Sequence, residues 1–244
     1  MPGILERVTR SNHFRPSNPD EALVLRLAYR LNDAVAARHY GYLLEQFSVA
    51  QLLTAYRRAK AHGSHVDPAR SFHAELERMS GRAGNEAAID RRRLAAIRID
   101  RRAVAVVILA GDNLEYPPLV RHLPTSSDKA LNSAAAFISR VMERCPFQIA
   151  ALETFPAESE IQRRALMQII QKVLSEQGAG TWQVSRQEIM AAFGYPPLQS
   201  RIQLREVIDA MYPDANGRFG GHLIKDALAL GLYCQIEHLL NLDY

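Results

Sequence analysis

Two kinds of charged side chain stand out along this sequence. The first is a set of carboxylates placed at the ends or in the middle of apolar runs. Asp100 closes the run Leu94-Ala-Ala-Ile97-Arg98-Ile99, Glu153 lies near the end of Phe147-Gln-Ile-Ala-Ala-Leu152, and Asp226 sits beside Ala227, Leu228 and Ala229. Carboxylate oxygens are hard ligands for Mg²⁺ and similar cations, and they also act as general bases. Each has an ordinary reading too: a turn residue for Asp100, a strand-end surface group for Glu153, an outward helix position for Asp226. Asp112, Asp128, Glu158 and Asp209 fit turns, caps and solvated faces better.

The second kind is arginine. Arg91, Arg92, Arg93, Arg98, Arg101 and Arg102 fall within a dozen residues, the densest basic stretch of the chain. Such a run is either a solvated junction between domains or a set of phosphate contacts, in which guanidinium forks pair with phosphate oxygens and release counterions. The wider charge balance is uneven. Residues 1–98 hold 16 basic against 10 acidic side chains, and residues 99–244 hold 14 against 16, within a chain of net +4. Different tasks for the two parts are expected. His62, His65 and His73 lack a matching carboxylate spacing and read as a surface cluster rather than a ligand set.

Residues 20–80 show helical periodicity. Ala22, Leu23, Leu25, Leu27, Leu31 and Val35 form one stripe, with Asp20 as its cap, and Leu43 to Tyr56 form a second, with Ser48 positioned to cap a helix ending near Ala61. Tyr40, Tyr42, Phe47 and Tyr56 fall among these apolar positions and read as core. A third helix follows Pro68, and Ser80-Gly-Arg-Ala-Gly-Asn85 is the clearest linker. The pattern then changes. Leu94–Ile99, Ala103–Leu109 and Leu119–Leu123 are close-spaced strand runs, which predicts an antiparallel meander. A helix with an apolar face from Leu131 to Met142, the strand Phe147–Thr154, the helix Ile161–Glu176, the short strand Trp182–Val184 and further helices to Leu240 complete the order. Strands and helices in this sequence predict a mixed sheet flanked by helices.

With that order in hand, residues 90–240 resemble the RuvC-type Holliday-junction resolvases of the ribonuclease H-like fold. Ile97-Arg-Ile-Asp100 resembles the family's first strand with its metal-binding aspartate. Ile149-Ala-Ala-Leu-Glu153 resembles the fourth strand with its catalytic glutamate, and Lys225-Asp226-Ala-Leu-Ala-Leu230 resembles the closing helix. Ser200 to Val207 is similar to the basic amphipathic helix before that motif. The resemblance implies a ribonuclease H-like mixed five-stranded sheet with flanking helices over 86–244, preceded by a small all-helical domain over 1–85.

It further implies metal-dependent cleavage of branched DNA. Two Mg²⁺ ions, or Mn²⁺, held by Asp100, Glu153 and Asp226 would activate water and relieve charge on the leaving oxygen. His222, one helical turn before Asp226, would assist. Arg91, Arg92, Arg93, Arg101, Arg102, Arg201 and Arg205 are the expected DNA contacts. A homodimer is implied, because its two-fold axis matches that of a four-way junction, with the helix Ala130–Met142 as a candidate interface. The N-terminal domain would adapt substrate or a protein partner.

Two departures permit a non-catalytic alternative, a DNA-binding or scaffold protein of the same fold. Asp100 is followed by Arg101-Arg102 where the family has a small-residue turn, and Leu223 stands where the family commonly carries a further acid or histidine. A transposase-like strand transferase is the third reading. Two cysteines exclude a disulfide scaffold, no apolar run spans a membrane, and Met1-Pro-Gly-Ile4 opens no signal peptide, so a cytoplasmic protein is expected.

Overall fold

The computed structural model describes residues 13–61, 67–80, 93–111, 113–155, 161–213 and 221–241. The expected boundary between residues 85 and 86 lies outside them, as do Arg91, Arg92, His62 and His65. The chain divides into two compact units. One comprises Met1–Asp90, Met190–Gln203 and Ile236–Tyr244, and the other Arg91–Ile189 and Leu204–Gln235.

In the first unit, α1 (Pro19–Arg30) begins at Asn18 rather than Asp20. Asn18 Oδ1 accepts the Glu21 N–H at 2.9 Å, and Pro19 fills the first helical position, where no backbone N–H is needed. The expected stripe does not continue to Val35. Asn32 takes a left-handed φ of 59° and breaks the helix. The chain passes through a 3₁₀ turn (Ala34–Ala36) into α2 (Ala37–Leu43), and Val35 is exposed. Helix α3 (Val49–Ala61) is capped by Ser48 as expected, and Gln51 makes the cap reciprocal. Ser48 Oγ accepts the Gln51 N–H, and Gln51 Oε1 accepts the Ser48 N–H. Asp67 and Pro68 start α4 (Pro68–Met79). Tyr40 stacks on Phe72 with ring centroids 5.8 Å apart, and His73 lies against both rings and His39. Burial, and then the neighbouring His39, hold the half-buried His73 imidazole below its ordinary pKa.

The second unit contains every strand of the sheet among the described residues. Strands β1 (Arg93–Ile99) and β2 (Ala103–Ala110) form a hairpin; β3 (Asn113–Leu114) and β4 (Leu119–His122) both pair antiparallel with β2. After α5 (Ser127–Arg144), β5 (Ile149–Glu153) joins β1 in parallel. After α6 (Ile161–Glu176), β6 (Gly180–Val184) joins β5 in parallel. The order is β3-β2-β1-β5-β6, with β4 beside β2. This is the expected mixed sheet flanked by helices, with a two-residue sixth strand, β3, added to the five expected. Helices α7 (Arg186–Ala192), α8 (Arg201–Met211) and α9 (His222–Asn241) follow.

Strands buried on both faces read as continuous apolar runs, which is why β1, β2 and β5 were legible. Their side chains nevertheless alternate. Ala95, Ile97 and Ile99 of β1 join Val104, Val106, Ile108, Ala150 and Leu152 in a core closed by α5 and α6. Ala130, Ala134, Ile138, Val141 and Met142 of α5 all belong to it. The apolar face of that helix is thus spent inside its own unit, and the proposed dimer contact there loses its basis. Leu94, Ala96 and Arg98 have the opposite parity. On that face α9 approaches the sheet through Gly231, where a Cβ would lie 2.7 Å from Leu109 Cδ1 and 3.0 Å from Ala96 Cβ. Glycine permits the close approach.

Candidate functional site

Strand pairing decides which side chains meet. Ile97 pairs with Leu152 across the parallel strands β1 and β5, so the residue level with Glu153 is Arg98. Asp100 lies two positions further along. The Arg98 side chain is 1% exposed, and its Nη1 lies 3.1 Å from Glu153 Oε2. From the first turns of α9, Asp226 presents Oδ2 3.7 Å from Arg98 Nε. The guanidinium therefore bridges two carboxylates that are themselves 5% and 6% exposed. The ring of Phe155, just beyond β5, has its centroid 5.6 Å from the guanidinium carbon.

Each acid is also held from outside. Arg186, at the start of α7, donates from Nη2 and Nε to Glu153 Oε1 at 2.7 and 3.0 Å. Arg205 of α8 forks onto Asp226, Nε to Oδ1 at 2.8 Å and Nη2 to Oδ2 at 3.0 Å. Hydrogen bonding to that carboxylate raises the Arg205 pKa further above its usual value. Three guanidinium groups thus face two carboxylates. Guanidinium does not deprotonate in proteins, so these three groups stay charged at every ordinary pH.

A divalent cation does not fit these residues. Between Glu153 and Asp226 stands a permanent cation of the protein itself, and bringing Mg²⁺ there would place like charges in a dry site. Among the described residues, no three His, Cys, Asp or Glu side chains group as metal ligands. The expected trio of Asp100, Glu153 and Asp226 is therefore not assembled as a metal centre. Two of its members converge, and they converge on Arg98.

Asp100 has a different task. Its side chain is 49% exposed and takes an ion pair from Arg163 of α6, and its N–H donates to Ala103 O at 2.8 Å, closing the β1–β2 hairpin. Burial pushes its carboxyl up, but hydrogen bonds from the Arg101 backbone and from Arg163 outweigh this and leave its pKa below the ordinary value. His222 is exposed at the first position of α9. Its neighbour Lys225 pairs with Asp209 at 2.5 Å.

The expected DNA contacts separate in the same way. Arg101 and Arg102 are exposed at the hairpin tip. Arg93 is engaged by Glu115, 2.7 and 2.8 Å from its Nε, and Arg205 by Asp226. Arg201 is half-buried in a segment of the other unit. Arg98, Arg186, Arg163 and Phe155 are the site residues that motif reading passed over. A signal for Arg98 was present: an arginine inside an apolar strand must find an acid on the face to which it points.

No protein-family model matches the chain, and no curated protein matches it. Among solved structures, the Thermus thermophilus RuvC structure superposes with a TM-score of 0.48 at 12% identity, covering 60% of this chain and 95% of that one. T. thermophilus RuvC in complex with a Holliday junction substrate gives 0.48 at 13%, covering 62% and 96%. The yeast mitochondrial Holliday junction resolvase Ydc2 gives 0.43 at 14%, covering 78% and 96%.

Proposed function

We propose that this chain is a catalytically degenerate ribonuclease H-fold protein that binds DNA without cutting it, branched DNA being the first substrate to test. The observation that carries the reading is Arg98, buried between Glu153 and Asp226. A phosphodiester hydrolase of this fold needs its acids to hold cations that activate water. Here the acids neutralise a guanidinium, and their outer oxygens are taken by Arg186 and Arg205. DNA binding draws on the net charge of +4 and on Arg101 and Arg102. These sit at the hairpin tip, at the same end of β1 as Arg98. Their charge favours a polyanion through counterion release, whatever its sequence.

The test is incubation with Mg²⁺ or Mn²⁺ and a synthetic four-way junction, a linear duplex or an RNA–DNA hybrid. Salt-dependent binding with no cleavage of any substrate is expected. Metal-dependent cutting that Asp226→Asn abolishes would restore the two-metal endonuclease in its place. Homodimerisation on the junction is decided in the same preparation by light scattering of free and bound protein.

A further inference from the structure

The arginines of the sheet unit are not all held alike. Arg163, Arg186 and Arg205 each pair with a carboxylate. Arg121 and Arg140, both exposed, are anchored instead on neutral oxygens of α5. Arg121 reaches across from β4, and its Nε donates to Ser133 Oγ at 3.1 Å. Arg140 turns back along its own helix, and its Nε donates to Ala136 O at 3.1 Å. Ser133 and Ala136 are three residues apart, about 4.5 Å of helical rise, so the two guanidinium groups gather on one stretch of α5. Lys129 is exposed one turn before Ser133, on the same side of the helix.

Among the described residues, nothing engages the Nη groups of Arg121 and Arg140. Asp128 and Glu143, the acids of α5, are exposed and pair with none of the three cations. An arginine fixed at Nε keeps its outer fork for a second partner and loses less freedom on meeting one. The apolar side of α5 is spent in the core, so these cations occupy its water-facing side. That side continues from the hairpin tip. Arg102 O accepts the Leu123 N–H at 2.8 Å, and α5 begins at Ser127.

We infer that this face of α5, completed by Arg121 of β4, is a surface on which the sheet unit takes the phosphate backbone of duplex DNA. The inference rests on the DNA-binding reading above, which it extends from the hairpin tip along the helix. Charge decides between DNA and a second copy of the chain. A two-fold pairing of the face with itself would oppose like charges. A phosphate backbone supplies the missing counter-charge and releases its own counterions.

The experiment measures binding of a labelled linear duplex over a salt series by fluorescence anisotropy. The variants are Arg121→Ala/Arg140→Ala, Ala136→Glu and a control, Lys172→Ala, which removes a cation of α6 that pairs with Glu176 of its own helix. Thermal melting confirms that each folds. Loss of two phosphate contacts should weaken binding about tenfold or more and flatten the log–log salt slope by about 1.8. Ala136→Glu keeps both arginines but sets a carboxylate beside them. It should weaken binding without lowering the melting temperature. The control should change neither affinity nor slope. Wild-type binding with both face variants unaltered would overturn the face and leave the DNA-binding reading standing. An equal loss in Lys172→Ala would also overturn it, since any surface cation would then serve. If the wild type binds no DNA, that reading falls and this inference with it. Light scattering of the free protein covers the other occupant: a dimer that the double variant dissolves would assign the face to a second copy and overturn the inference.

Discussion

Two buried ion clusters, one in each unit, are built with opposite polarity. In the helical unit, Glu237 is 3% exposed and receives Arg26 and Arg30 from successive turns of α1. In the sheet unit, a cation lies at the centre, with Glu153 and Asp226 around it and Arg186 and Arg205 outside them. The first arrangement is an ordinary clamp: a single acid is buried, and its partners reach it from positions 19% and 37% exposed. The second buries all three central groups. Taking that many charges out of water is costly and adds little net stability over an apolar core. What it does achieve is to fill, with a positive charge, the point on which Glu153 and Asp226 converge.

The largest expected effect breaks this comparison directly. Arg98→Met keeps the bulk of the side chain and leaves Glu153 and Asp226 buried without their central cation. The loss of stability should be about 3–5 kcal/mol, measured by urea unfolding. Glu237→Gln should cost less, about 1–3 kcal/mol, because Arg26 and Arg30 can turn to solvent when their acid is gone. Equal costs would show that the two clusters do the same structural work. The sharper version adds metal. Mn²⁺ should raise the melting temperature of Arg98→Met and leave wild type unchanged, since only the variant presents two acids with no resident cation between them. A wild-type response as large as the variant's would mean that Arg98 yields its place to metal.

How much of this was legible in the sequence differs between the fold and the site. Strand runs such as Ala103–Leu109 announce themselves through β-branched residues, and Ser48 announces a helix start. The site depends on register, which no local pattern contains. A slip of two residues along a strand keeps a side chain on the same face, so parity alone could not choose between Arg98 and Asp100 as the neighbour of Glu153. The tertiary pairing of Ile97 with Leu152 makes that choice. Reading the arginine run as one surface cluster then hid the member that had to be inside. The grouping of residues 190–203 and 236–244 with the N-terminal segment was illegible for a similar reason. Periodicity reports which face of a helix is buried, not which unit buries it.

The smallest expected effect falls on Asp100, and it separates the two functional readings most cleanly. Its carboxyl pKa lies below the ordinary value in the folded state. The stabilisation it contributes is therefore complete above the unfolded-state pKa, near 4. It is lost as pH falls through the lower folded value. The side chain is half exposed, so solvent screens the Arg163 pair, and Asp100→Asn should cost no more than about 0.5 kcal/mol at neutral pH. The difference between wild type and variant should shrink as pH falls below the unfolded-state value, as chemical unfolding across a descending pH series would show. In DNA binding, the same variant loosens the turn beneath Arg101 and Arg102 without removing either. A drop of no more than about two- to threefold in affinity is expected. Asp100→Asn that abolished a metal-dependent cut while leaving binding untouched would instead identify a ligand, and would return the sheet unit to the nucleases.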